Sequence, residues 1–236
     1  MSRRVIRFSR LLCFLLMIPC SSLAQITGTK MAVGPGGLCV TEGSLENGPK
    51  NRLTVNVPKM RAYVNAWTSQ TIEAHFTYLG PTAEESRLAS GESRRQFGLK
   101  LRAQNACNLV YAMWRMEPES KVVVSIKKNP DQVKSSECGN HGYQNIKPRH
   151  STPVPLLRPN DSHTFGAQLN GDELRVFVDD TAVWEGNLGP DARDLKGPVG
   201  IRSDNARLAF DLTAGAYVGA HPNYLLACKS GPDASD

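Results

Sequence analysis

Apolar residues recur at every second position through most of this chain and almost never at helical spacing, which confines it to sheet. Leu53, Val55 and Val57 alternate with Thr54 and Asn56. Ile72, Ala74, Phe76 and Tyr78 alternate with Thr71, Glu73, His75 and Thr77. Further strands are expected at 97–102, 108–115, 122–127, 164–169, 174–178, 182–186, 199–202 and 207–212. Pro, Gly, Asn and Asp punctuate the intervals, as short antiparallel connections require. The one helix candidate is the stretch 81–89. An all-β, two-sheet antiparallel sandwich follows.

The first 24 residues stand apart. Arg3, Arg4, Arg7 and Arg10 precede the apolar run 11–19, and Ser22-Leu23-Ala24 offers small residues for a signal peptidase. The run is too short for a bilayer, which takes about 20 residues, and no other segment is apolar enough to span one. The chain is therefore expected to be secreted or periplasmic after cleavage near Ala24. Of its 28 Lys and Arg residues four lie in this leader, leaving 24 against 22 acidic residues and a net charge near +2 instead of +6. A nucleic-acid partner loses its electrostatic basis, which needs a basic footprint on the mature domain. Cys13 and Cys20 leave with the leader, and Pro19 is a poor neighbour for a lipid-anchored Cys20.

Residues 25–236 suit one β-sandwich domain, with an irregular lead-in at 25–37 and a polar tail at 229–236. The remaining cysteines, Cys39, Cys107, Cys138 and Cys228, form an even set in an exported chain. Three connectivities are possible. The favoured one pairs Cys39 with Cys228, stapling the chain ends, and Cys107 with Cys138, tying a central strand to the following loop. Cys138-Gly-Asn-His141, with His150 nearby, could be read as metal-binding, but an oxidising compartment and the lack of a second close pair favour the disulfide. No metal is expected. The five histidines read as surface residues, and Asn160-Asp-Ser162 is a glycosylation sequon.

The clearest hairpin runs from Glu173 to Glu185 around Asp179-Asp180, where Asp favours the turn backbone. Here the chain resembles a family. Asn170-Gly-Asp-Glu-Leu-Arg-Val-Phe-Val-Asp179, Val183-Trp-Glu-Gly186, Gly197-Pro-Val-Gly-Ile201 and Ala209-Phe-Asp-Leu212 look like the C-terminal strands of concanavalin A-like lectin/glucanase (laminin-G-like) jelly rolls. The resemblance covers about a quarter of the mature chain and implies two curved sheets with carbohydrate on the concave sheet or a rim. The family's glucanases carry an E-x-D-x-x-E run that puts carboxylates on one face, and this chain has none: Glu84, Glu85 and Glu92 fall in a loop-like or short helical stretch, and Glu117 and Glu119 flank Pro118 in a turn. The Gln-x-His and Tyr-x-Lys strands of the lyase relatives are also missing, as are the serine-hydrolase, zincin and P-loop signatures.

Alternation marks a different surface. With Leu99, Leu101, Val122, Val124 and Ile126 directed inward, Lys100, Arg102, Ser125 and Lys127 face outward. One phase of strand 108–115 adds Tyr111, Met113 and Arg115; the plainer reading is solvated polar faces on ordinary strands, with Tyr111 and Trp114 as core. The candidate ligand-binding set is Lys100, Arg102, Tyr111, Arg115 and Lys127, a cationic shelf suited to a uronate or sulfated glycan. The primary expectation is an exported carbohydrate-binding jelly roll. An enzyme on the same fold, such as a lyase using Tyr111 or Tyr143 as base with Arg102 and Lys127, is the alternative; a structural envelope or adhesion protein is a third. No cofactor is implied, and a calcium site is not legible from spacing.

Overall fold

The computed structural model describes residues 30–65 and 69–215. The leader, Cys228 and the polar tail lie outside them. In chain order the strands are β1 (Lys30–Ala32), β2 (Leu38–Glu42), β3 (Glu46–Asn47), β4 (Leu53–Val55), β5 (Lys59–Val64), β6 (Thr71–Pro81), β7 (Arg95–Asn105), β8 (Asn108–Glu117), β9 (Lys121–Lys127), β10 (Tyr143–Asn145), β11 (His150–Ser151), β12 (Ser162–Asn170), β13 (Glu173–Val178), β14 (Thr181–Asn187), β15 (Gly200–Asp204) and β16 (Ala206–Gly215). They form two antiparallel sheets. One has the order β11-β14-β13-β12-β6-β16-β4-β3 with β1 beside β16; the other runs β10-β9-β8-β7-β15-β5-β2. All ten expected strands are present, in a two-layer antiparallel sandwich.

The inward faces meet in one apolar core. Phe76 of β6 packs edge-on to Trp114 of β8, with ring centroids 5.6 Å apart, and lies 5.2 Å from Phe97 of β7. Phe165 and Phe210 complete the aromatic centre. These large rings carry the main hydrophobic stabilisation, at roughly 1.5–3 kcal/mol for each fully buried side chain. Trp114 directs its indole N–H to Ser120 Oγ at 3.0 Å, so its one polar atom is satisfied.

The motifs that carried the family resemblance have packing reasons. In Val183-Trp-Glu-Gly186 the indole of Trp184 lies over Gly186, and a Cβ there would sit 2.7 Å from the ring. Gly197 and Gly200 let backbones approach: a Cβ would lie 2.2 Å from the Ala103 carbonyl oxygen and 2.3 Å from that of Ala62, respectively. Asp179 and Asp180 both adopt positive φ, 48° and 63°, as a two-residue hairpin turn requires. The Asp179 carboxylate also accepts the Thr164 N–H at 2.8 Å and pairs with His163 Nδ1 at 2.6 Å.

Several expectations are corrected. Residues 81–89 are not helical. Asn205 accepts the Ser86 N–H at 2.8 Å and donates to the Ser86 and Arg94 carbonyls, so this connection hangs from a side chain instead of from its own helical bonds. The helices are single turns, α1 (Ser135–Cys138) and α2 (Pro190–Arg193). Within the supposed irregular lead-in, β1 pairs with β16. His163 is no simple surface residue: its ring lies 5.5 Å from that of Trp114. Cys107 and Cys138 form the expected disulfide, so Cys138 is not a metal ligand. The pairing of Cys39 with Cys228 falls outside the described residues.

Two outcomes follow for stability. Replacing Cys107 and Cys138 together by Ser frees a loop closed over 31 residues, and loop entropy sets the loss at about 3–4 kcal/mol in urea unfolding. Gly186→Ala forces the Trp184 ring out of place and should lower the unfolding free energy by about 1–3 kcal/mol, read from the same titration.

Candidate functional site

On the outward face of the seven-stranded sheet, pairing brings side chains from different strands into transverse rows. One row holds Tyr63, Gly200, Lys100, Tyr111, Ser125 and Asn145. The next holds Glu42, Arg61, Arg202, Gly98, Met113 and Val123, and a third holds Lys59, Asp204, Gln96 and Arg115. Alternation on β8 is thereby resolved: Val110, Ala112 and Trp114 enter the core, while Tyr111, Met113 and Arg115 face out.

Asp204 organises this face. Its carboxylate, fully withdrawn from solvent, receives Arg61 Nη2 at 2.5 Å, Arg202 Nε at 2.8 Å and Gln96 Nε2 at 2.6 Å. Burial by itself would raise its pKa. The charges of Arg202 and Arg61, with the hydrogen bonds from Arg202 and Gln96, outweigh that and hold the carboxyl well below the usual range. Arg202 is likewise penalised by burial, and Asp204 more than compensates, keeping the guanidinium firmly charged.

Arg202 in turn carries two tyrosines. Its guanidinium lies 5.0 Å from the Tyr111 ring centroid, and Nη1 donates to the Tyr143 hydroxyl at 3.3 Å. Tyr111 and Tyr143 stack with centroids 6.2 Å apart, and Lys127 Nζ sits 5.1 Å from the Tyr143 ring. Tyr143 keeps 39 % exposure; desolvation, then the neighbouring Tyr111, push its pKa up to about 12.

Two adjoining clefts open on this face. One, of about 200 Å³, is lined by Tyr111, Arg115, Ser125, Tyr143, Arg202 and the connection at Leu88–Arg94. The other, of about 80 Å³, is lined by Lys59, Arg61, Lys127, Tyr111, Tyr143 and Arg202. Both are small beside a closed ligand pocket of roughly 300–1,000 Å³. The site is a shallow groove.

The five candidate residues separate. Tyr111 and Arg115 line the larger cleft and Lys127 the smaller. Lys100, 1 % exposed, lies beneath this face. Arg102 is not part of it. Strand β7 leaves register after Leu101, Arg102 takes φ +48°, and its guanidinium donates to the carbonyls of Gly171 and Ala192, each at 2.6 Å. Arg102 therefore clamps the β12–β13 turn against α2, a correction to the outward direction expected from simple alternation.

Arg115 differs from its neighbours. It forms no ion pair with any described residue, and its Nε is buried without a hydrogen-bond partner. Burial, then the like charge of Arg94, lower its pKa, and Glu92 offsets this only partly. Glu92 itself is engaged by Arg94 and Ser90, whose hydrogen bonds keep its carboxyl below the ordinary range. Arg61, Arg202, Asp204 and Lys59 were not among the sequence candidates. The pattern Lys59-Met60-Arg61-Ala62-Tyr63-Val64 carries the alternation that marks two of them, Lys59 and Arg61. Among the described residues no group of three or more His, Cys, Asp or Glu side chains could hold a metal ion, and no helix is long and apolar enough to cross a membrane.

No known family's sequence profile matches the chain, and no curated protein matches it. Solved structures do. A CBM66 carbohydrate-binding module from Bacillus subtilis aligns at 16 % identity with TM-score 0.51, over 74 % of this chain and 91 % of that one. The galectin LEC-6 of Caenorhabditis elegans aligns at 10 % identity and TM-score 0.39, over 73 % of this chain and 96 % of the galectin. A putative beta-glucanase from Mycobacterium abscessus aligns at 12 % identity and TM-score 0.43, over 72 % and 78 %.

Asp204→Asn tests the organising role. Leaving Arg61 and Arg202 buried without their counter-charge should cost about 3–5 kcal/mol in urea unfolding at neutral pH. Because the folded-state pKa of Asp204 is depressed, the stability it contributes is complete above the unfolded carboxylate value. The gap between wild type and variant should therefore hold from pH 7 down to about pH 4 and narrow below it. A gap that instead closes between pH 7 and pH 5 would contradict this assignment.

Proposed function

On a concanavalin A-like jelly-roll fold, we propose, this chain is an exported carbohydrate-binding module that takes an acidic glycan along the outer groove of its seven-stranded sheet. One observation carries the reading: Arg115 presents a half-buried guanidinium with no ion pair to any described residue and an unpartnered Nε, beside a stacked pair of tyrosines. A carboxylate or sulfate would supply the missing charge through a charge-assisted hydrogen bond, and an aromatic face gives a sugar ring an apolar surface to rest on. The likeness to the CBM66 module supports the fold on which such a groove is built. The Cys107–Cys138 disulfide supports export, since such bonds persist in oxidising compartments.

Binding is favoured over catalysis on this face. A lyase base must give up its proton near the working pH, and Tyr143 moves the other way, to about 12. Arg102, the cation a lyase on this strand would use to hold a uronate, is occupied at the far turn. Glu92 is the one carboxylate lining the larger cleft, and it is held below the ordinary range, unlike a general acid.

Calorimetric titration with polygalacturonate and with dextran tests the reading. Binding to the acidic polymer that weakens with added salt, and little to dextran, is expected. Arg115→Gln should weaken it about tenfold or more, the worth of one charge-assisted hydrogen bond, while thermal unfolding stays unchanged. Equal binding of both polymers, or release of unsaturated product absorbing in the ultraviolet, would overturn the proposal.

A further inference from the structure

Resting on that reading, we infer that the groove recognises two anionic groups on one ligand, held at its ends by Arg115 and Lys59, so that only an oligosaccharide satisfies it fully. The two residues lie three strand steps apart in a single transverse row, Lys59–Asp204–Gln96–Arg115, which continues to Lys121, itself paired with Glu119. The interior of the row is electrically closed. Asp204 is shared by Arg61 and Arg202, Arg61 pairs in addition with Glu42 at 3.7 Å so that the two charges of each sign balance, and Gln96 carries no charge. Like Arg115, Lys59 forms no ion pair with any described residue, and it lines the smaller cleft while Arg115 lines the larger. Neighbouring strands lie about 4.8 Å apart, so three steps separate the two cations by roughly 14 Å.

That distance decides the ligand class. A single sugar ring with one acidic group reaches one cation and leaves the other unmatched. A chain lying across the strands can meet both, with Tyr143 and Arg202, which border both clefts, between its charged units. The second contact then forms within a ligand already anchored, where effective concentration replaces a second encounter. Carboxylate and sulfate share this chemistry.

Calorimetry on the full chain with galacturonate oligomers of increasing length, and in parallel with carrageenan-derived oligosaccharides bearing regularly spaced sulfates, tests the inference. In one series affinity should rise in a single step of about five- to tenfold at the length that first spans both cations, a modest gain in keeping with a half-exposed ion pair made intramolecular. Lys59→Gln should erase the step and leave the affinity for the shortest oligomer unchanged; Arg115→Gln should weaken every length. The series that shows the step identifies the anion. If the oligomers bind but affinity does not change with length, or if Lys59→Gln leaves the step intact, the two-point inference is wrong while the acidic-glycan reading stands. If no acidic oligomer or polymer binds, both fall.

Discussion

Asp204 is the one acidic side chain fully withdrawn from water among the described residues, and much of the rest is arranged around that fact. A lone carboxylate there would be untenable, because burial strips its hydration. Arg61 from β5, Arg202 from β15 and Gln96 from β7 answer it, so three neighbouring strands are cross-linked by one charge. Their positions follow from pairing: Lys59, Asp204 and Gln96 are in register, and Arg61 and Arg202 occupy the adjoining row. The next residue, Asn205, takes φ +53°, turns the chain from one sheet to the other, and holds the connection between β6 and β7 through Ser86 and Arg94. One corner thus fixes both the floor and a wall of the groove.

The electrostatics of that floor separate two kinds of cation. Arg61 and Arg202 are committed to Asp204, and Arg202 then props the tyrosine pair, so these residues give the groove its shape. Arg115 and Lys59 lie outside the network and form no ion pair with any described residue, although Glu92 partly offsets the charge around Arg115. A count of positive residues on the face would treat all four alike. The difference lies in which of them already has an anion, and the proposed binding rests on those that do not.

Much of the fold was legible along the chain. Period-two alternation in 97–102, 108–115 and 122–127 marks β7, β8 and β9 because one face of each must enter the core. The family resemblance rested on glycines and a tryptophan whose spacing is dictated by contact, as Trp184 over Gly186 illustrates. Where alternation failed, a backbone irregularity had intervened. Arg102 leaves the outward row because β7 bulges after Leu101, and a single positive φ redirects its side chain. The stretch 81–89 has no helix because Asn205, more than a hundred residues later, supplies its hydrogen bonds.

The sequence by itself determined the alternating faces, the two-sheet class, the hairpin at Asp179-Asp180 and the cationic character of the central strands, because these depend on residues close together in the chain. Only the tertiary structure decided which cations share a row, which are spent on Asp204 and which are not. Those depend on strand order: β15 lies between β5 and β7, bringing residue 204 between residues 59 and 96. No local pattern encodes that juxtaposition, since it is fixed by sheet register and by burial of one carboxylate.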